Sequence, residues 1–410
     1  MKQQNKLKIL NDPIYGFISI PSREIFQLIE HPYFQRLRRI TQMGLSYLVY
    51  PGAHHTRFHH ALGCMHLMQK AVQVLRSKGV VIDDKEEDAL YKTILLHDIG
   101  HGPFSHALEY KIVKGVTHEQ LSLNFMQALN EEFNGSLTLA IKIFKGEYHR
   151  PFMLQLISSQ LDMDRLDYLK RDSFYTGVAE GNINSTRLIA MLNVVNDELV
   201  VEEKGIYSIE HFLTSRRLMY WQVYLHKTGI AAEHLLQSFF KRLVELYESK
   251  ISVALPDRIE YFITRENFDQ ASAHDLKMFA RLDDTDVFTA LKMNVDHEDF
   301  VLRELSNMLL NRQLLKVKFR DAPVSEKKLN SKIIQLQKQY KLSEDQASYF
   351  VFQGVVKHTA FAKANPIKIL TKTGKVKELL KVTKEDSFKA LTKVAQKHYY
   401  CHPKLNDNSK

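Results

Sequence analysis

The segment Leu95–His106, LLHDIGHGPFSH, places three histidines and one aspartate within ten residues around a glycine-broken turn. His97 and Asp98 follow directly on the apolar run Thr93–Leu96. Adjacent side chains on a regular helix surface do not face one another, but a helix end can bring a neighbouring imidazole and carboxylate onto one cation. Two further positions can complete the set: His60 in RFHHALG and Asp164 in LDMDRLDYLKRD. Mixed nitrogen and oxygen donors of this kind suit a divalent ion such as Mn, Mg, Fe, Co or Zn. Two imidazoles and two carboxylates leave positions for water and a phosphate oxygen, so the expected chemistry is metal-assisted phosphate hydrolysis. Any one of these histidines alone is more often an ordinary core or surface residue; the combination carries the reading.

The elements that must position these residues read as mostly helical. Asn11-Asp12-Pro13 marks a turn before a short strand in GFISI. Helical patterning from Ser22 to Met43 is broken at His31-Pro32, because proline disfavours helix in the residue before it. A loop at Pro51-Gly52 precedes a helix from about Arg57 to Arg76, and another runs from Asp84 to Leu96. Thr117 caps the next, with Gln120 three residues on. The pattern then predicts a long helix over Leu154–Asp172, a hairpin around Asn196-Asp197 and helices from about Ser208 to Lys250. Beyond residue 310, VKFRD, IKILTKTG and KVKELLKV read as strands. The expected fold is mainly α: a helical core with a smaller C-terminal α+β region. The expected divisions are an N-terminal segment 1–50, a catalytic helical domain 51–250 and a basic region 251–410.

A chain of 410 residues with 44% hydrophobic content can bury a large core. No run reaches the ~18 apolar residues that suggest a membrane span, and MKQQNKLKIL lacks the apolar core of a secretory signal. Cys64 and Cys401, the two cysteines, make neither a disulfide framework nor a structural zinc site, so a cytoplasmic setting is expected. The net charge of +10 is uneven: residues 311–410 hold 22 Lys and Arg against 8 Asp and Glu. That region is either a solvated lysine-rich face or an attractive surface for nucleotides, nucleic acid or an acidic neighbour.

Four motifs in order, PGAHHTRFHHALG, HDIGHGPFSH, THEQ and LDMDRLDYLKRD, give the chain a specific resemblance. It is similar to the HD superfamily of metal-dependent phosphohydrolases, and within it resembles the deoxynucleoside triphosphate triphosphohydrolases, from bacterial dGTPase-like enzymes to the vertebrate sterile-alpha-motif/HD enzyme. The similarity covers about residues 7–230 and weakens over the last third. It implies an HD-domain helical core and cleavage of a dNTP into deoxynucleoside and tripolyphosphate. It also implies His60, His97, Asp98 and Asp164 as metal ligands, Asp162 being the local rival for the last place. His106 is the first choice for moving the proton, with Glu109 one turn on to orient its ring. His101 is expected at the scissile phosphate, and the pair His118-Glu119 matches a family pair implicated in catalysis, so whether His106 or His118 protonates the leaving oxygen stays open. Arg57, Arg165 and Arg216 match phosphate-binding positions, and Gln42, Tyr168, Asp172 and Tyr224 match sugar-contacting ones.

Members of the family assemble as homo-oligomers, and some bind an activating nucleotide near the N-terminus. Lys8, Asn11, Gln35 and Arg38 match that site here, with Glu30 where the vertebrate enzyme has an aspartate. Two other readings stand beside this one. The first is another HD nucleotide phosphohydrolase, such as a 5′-nucleotidase; the second is a nucleotide- or nucleic-acid-binding HD protein of low turnover.

Overall fold

Asp12 shapes the first element. Its Oδ1 accepts hydrogen bonds from the Ile14 and Tyr15 amides at 2.9 and 3.0 Å, and Gly16 completes the turn at φ +73°. The turn joins β1 (Lys8–Asp12) to β2 (Gly16–Ile20), antiparallel with Leu10 opposite Ile18. The expected strand therefore has a partner on the other side of the turn. The computed structural model describes residues 8–104, 108, 115–265, 268, 271–359, 361, 365–383, 388, 391–392 and 394–404. Its architecture is mainly helical, with this N-terminal hairpin and two larger sheets that draw five of their strands from the C-terminal hundred residues.

Local capping explains most helix boundaries. Ser22 Oγ accepts from the Ile25 amide and starts the Arg23–Glu30 helix, which ends at His31-Pro32 as expected. The chain continues through a short turn, Pro32–Gln35, and a 3-10 turn, Arg36–Arg39. Asp83 and Glu86 form a reciprocal capping box that starts the Asp84–Leu96 helix. The longer Arg57–Ser77 helix packs against it and against the Met163–Thr176 helix, so these three helices bring the candidate ligands together.

The expected continuous helix over Leu154–Asp172 is instead two. Pro151–Gln155 is a short helix, and the second begins only at Met163. Asp162 causes the break: its carboxylate accepts from the amides of Ser159 and Arg165, both at 2.7 Å, and caps the new helix. Further on, β3 (Leu192–Val195) and β4 (Glu198–Glu202) form the expected hairpin, with Asn196 and Asp197 both at positive φ. The Ile206–Met219 and Lys227–Glu248 helices are separated by a π-helical turn, Tyr220–Tyr224.

The C-terminal strands are woven into the body. β5 (Lys316–Arg320) and β6 (Phe352–His358) flank β9 (Ala395–His402) in one antiparallel sheet. β7 (Lys368–Leu370) pairs in parallel with β4, and β8 (Val376–Glu378) adds to its far side. Only Val376–Glu378 of KVKELLKV is strand; Leu379–Val382 turns helical. Among the described residues, no helix is long and apolar enough to cross a membrane.

Candidate active site

His60 lies in the first turn of the Arg57–Ser77 helix, His97 caps the Asp84–Leu96 helix with Asp98 next to it, and Asp164 opens the Met163–Thr176 helix. Their donor atoms converge. His60 Nε2 is 3.1 Å from Asp164 Oδ1 and 3.8 Å from Asp98 Oδ2; His97 Nε2 is 3.5 Å from Asp98 Oδ1 and 3.7 Å from Asp164 Oδ1. The other ring nitrogens are engaged: His60 Nδ1 with Asp167 Oδ2 at 2.8 Å, and His97 Nδ1 with the Ile94 carbonyl at 2.7 Å. Such contacts turn both Nε2 atoms toward one point, as outer partners of metal-bound imidazoles do. His97 Nε2 is buried and has no hydrogen-bond partner, an orphaned donor atom that a cation would satisfy.

The electrostatics ask for positive charge at that point. Burial works against the charge on Asp98, but the imidazoles of His97 and His101 and the Arg57 guanidinium outweigh it and hold the carboxyl well below its usual range. Burial likewise opposes the Asp164 carboxylate, which the His60 hydrogen bond and the neighbouring His97 imidazole keep low. Cys64 Sγ sits within this cluster, 3.5 Å from His60 Nδ1. Burial pushes its thiol up, so it packs there as a small neutral group.

Behind the cluster runs a buried chain of charge. Arg171 grips Asp167 through Nε and Nη2, at 2.8 and 3.0 Å, and reaches Asp12 Oδ2 at 2.8 Å with Nη1. Gly63 leaves room for it; a Cβ there would lie 2.0 Å from Asp167 Oδ1 and 2.3 Å from Arg171 Nη2. On the other side, Arg36 is fully buried and donates to the carbonyls of Ile99 and His101 at 2.8 and 2.6 Å, with its guanidinium over the Phe279 ring. That fixes the HDIGH turn. Gly100 lets the turn close on the His118–Glu132 helix, since a Cβ would sit 2.2 Å from the Ser122 amide nitrogen. His101 and His118 consequently stack, 4.0 Å between ring centroids.

The cluster borders a cavity of about 450 Å³. Gln42, Arg57, Asp98, His101, His118, Asp164, Arg165, Tyr168, Asp172 and Tyr224, all expected from sequence, line it. Asp172 is held from two sides, by His55 Nε2 and by the Tyr224 hydroxyl, each at 2.7 Å. Gln42 Oε1 is buried without a partner. Arg57 donates to Asp98 at 2.6 Å, and Arg165 to the Ser159 carbonyl at 2.6 Å. Three expected residues fall elsewhere. Arg216 is buried beside Tyr220 and is not part of the wall, Glu119 is exposed beside His118, and Asp162 serves as a helix cap. His106 and Glu109 lie outside the described residues.

The five N-terminal candidates share no part of that wall. Lys8, Asn11, Glu30 and Arg38 are exposed on the hairpin and first helical turns, while Gln35 bonds to the Ile29 carbonyl and Arg38 stacks on Phe58. Sequence reasoning missed His55, Tyr220, Glu233 and the bracing roles of Arg36 and Arg171. The i,i+4 spacing of Asp167 and Arg171 was a usable signal; nothing in the local pattern announced Glu233.

Asp284 ties two walls of the cavity together. It accepts from the Thr41 amide and hydroxyl at 2.8 and 2.7 Å and from the Phe104 amide at 3.2 Å. Burial nevertheless pushes its carboxyl up to about 6, against an ordinary value of 3.8. The folded state therefore favours the protonated form, and this group's contribution to stability declines as pH rises from about 4 through about 6. Wild type should lose stability relative to Asp284→Asn over that interval, by an amount of order 2 kcal/mol at most. Urea unfolding at pH 4.5 and 7.5 measures it; a difference between the two proteins that does not change with pH would refute the assignment.

Comparison with known proteins accords with this geometry. Residues 57–172 match the model of the HD domain and residues 183–257 that of the HD associated region. The chain is 30% identical to the uncharacterized protein YwfO of Bacillus subtilis, across 98% of this chain and 94% of that one. It is 28% identical to the human deoxynucleoside triphosphate triphosphohydrolase SAMHD1, over 64% of this chain and half the length of that enzyme. The crystal structure of a phosphohydrolase from Bacteroides thetaiotaomicron superposes with a TM-score of 0.93 at 47% identity, covering 97% of this chain and all of the other.

Proposed function

The chain belongs to the HD-domain phosphohydrolases, and from that premise we propose that it cleaves deoxynucleoside triphosphates into deoxynucleoside and tripolyphosphate. The observation that carries the reading is the Asp172–Tyr224 pair, a carboxylate with a phenol bonded to it, in the wall of the cavity that the His60, His97, Asp98 and Asp164 cluster borders. A carboxylate can accept from a 3′-hydroxyl while the phenol crowds the 2′ position. In this reading His60, His97, Asp98 and Asp164 hold a divalent ion, which when bound supplies Lewis-acid charge and activates water. Arg57 and Arg165 offset phosphate charge from the cavity wall as the α-phosphorus is attacked. Water adds to that phosphorus, the bond to the 5′ oxygen breaks, and an imidazole delivers a proton to the departing oxygen. His118 is the described candidate for that proton, His101 stacking on it and facing Asp98 at 3.3 Å. His106, outside the described residues, is the other.

The reading includes several copies of the chain in one assembly, with an activating nucleotide at the N-terminal segment. Its test is product analysis over the four dNTPs and GTP, with Mn or Mg, with and without a second nucleotide. Tripolyphosphate from dNTPs, with GTP spared, is the expected result. Orthophosphate released from a deoxynucleoside monophosphate instead would identify a 5′-nucleotidase, and nucleotide binding without turnover a sensor.

A further inference from the structure

The π-helical turn Tyr220–Tyr224 lends both of its terminal tyrosines to the cavity wall. The Leu225 amide donates to the Tyr220 carbonyl at 2.7 Å, the wide five-residue span that often marks a functional site in a helix. The Tyr220 ring meets Tyr224 edge-on, with 5.0 Å between centroids and 69° between planes. A second contact comes from the C-terminal region: His358, the last residue of β6, lies flat against Tyr220 at 3.7 Å and 15°. The same sheet grips the next residue of the turn. Lys397 on β9 stands 4.8 Å from the ring centroid of Trp221, the only tryptophan in the chain.

His358 is suited to packing rather than to charge. It is 8% exposed, and its Nε2 has no hydrogen-bond partner among the described residues. Burial, and then the guanidinium groups of Arg216 and Arg217, push the ring down to about 4, against an ordinary 6.5, so it is neutral near pH 7. A neutral ring stacked on a phenol adds stability beyond the area it buries, and an ammonium over an indole adds cation–π attraction. Both contacts brace the turn that carries Tyr224. The Tyr224 hydroxyl is fixed on Asp172 at 2.7 Å, and its ring rests against Tyr168 and Tyr220. Placement at a reacting site matters on a scale of about 1 Å, so a ring that excludes a single oxygen atom must be held firmly. We infer that His358 is a positioning residue: packed on Tyr220, it keeps the Tyr224 ring where a 2′-hydroxyl cannot fit, so the C-terminal region governs the choice of deoxyribose over ribose.

This inference rests on the dNTP triphosphohydrolase reading, and its test includes a readout independent of turnover. The experiment measures kcat/KM for dATP and ATP, and acrylamide quenching of Trp221 fluorescence, in wild type, His358→Ala, His358→Leu and His358→Phe. His358→Ala should lower the dATP:ATP ratio about 3–10-fold, the range that one aromatic pair supports, and should raise the quenching of Trp221. His358→Leu fills the space without a face to stack and should behave like His358→Ala. His358→Phe keeps a flat ring and should return both readouts to near wild type. A ratio in His358→Ala within about twofold of wild type, unchanged Trp221 quenching, or a Phe variant as relaxed as the Leu variant overturns the role of His358 and leaves the hydrolase reading intact. No tripolyphosphate from any dNTP overturns both. Should His358→Ala fail to fold, the Leu and Phe variants decide between filled volume and stacking.

Discussion

Asp164→Ala is expected to lower dNTP hydrolysis at least about a thousandfold, a barrier increase of about 4 kcal/mol. The side chain reaches the two imidazoles that face the cluster, at 3.1 and 3.7 Å, and it lines the cavity as well. Removing it takes a charged donor from the ligand set and leaves two imidazoles with Asp98. Affinity for Mn should fall in step, read by titration calorimetry. The melting temperature of wild type should rise with added Mn, because an ion that binds only the folded state stabilises it by mass action. The variant should show little of that rise while its metal-free melting temperature stays near wild type, since Asp164 is partly open to the cavity. Hydrolysis within tenfold of wild type, or an undiminished response to Mn, would remove Asp164 from the metal site.

Much of the site was legible because its signals are local and chemically dense. His97 and Asp98 sit at a helix end that an apolar run and Gly100 both announce. His60 and Asp164 belong to motifs that keep their order wherever the loops between them fall. The fold was legible where caps and turn residues act over a few positions, as at Ser22, Asp83 and Asn196-Asp197. It failed where the deciding contact is distant or ambiguous in kind. Asp162 looked like a helical residue or a ligand, and the structure uses it to break the helix and restart it.

Long-range braces were the hardest to foresee. Arg36 reads as one of several surface arginines in QRLRR, yet it is fully buried beneath the HDIGH turn. Strands β6 and β9 carry lysines, histidines and glutamine that mask their alternation, and their pairing spans some forty residues of chain. Glu233 looks like a solvated residue on an amphipathic helix; only the fold shows that it lines the cavity. Helix periodicity cannot distinguish an outward carboxylate from one facing an internal pocket.

The second large effect concerns Arg171, which no ligand set would include. Its guanidinium is buried between Asp12 on β1 and Asp167, which in turn holds the His60 ring. Arg171→Leu would leave two buried carboxylates without their cation, and breaking a buried pair in this way costs about 3–5 kcal/mol. The loss should depend on pH. Burial opposes the Asp167 charge, but Arg171 and His60 hold its carboxyl down to about 2, against an ordinary 3.8. A depressed carboxyl stabilises the fold fully above its unfolded value, and the gain disappears as pH falls through about 4 toward 2. Without Arg171 that contribution is missing, so the deficit should be greatest near neutrality and narrow on acidification. Arg171→Leu combined with Asp167→Asn should recover part of the stability, because the stranded charge is gone. Metal affinity should fall about 10–100-fold in the single variant, since His60 loses a firmly held partner at Nδ1. Denaturant midpoints at about pH 3 and pH 7.5 for wild type and both variants test the chain of charge, the lower point lying inside the interval over which the Asp167 contribution is lost. A single variant within about 1 kcal/mol of wild type at neutral pH would mean that the hairpin and the metal site are braced independently.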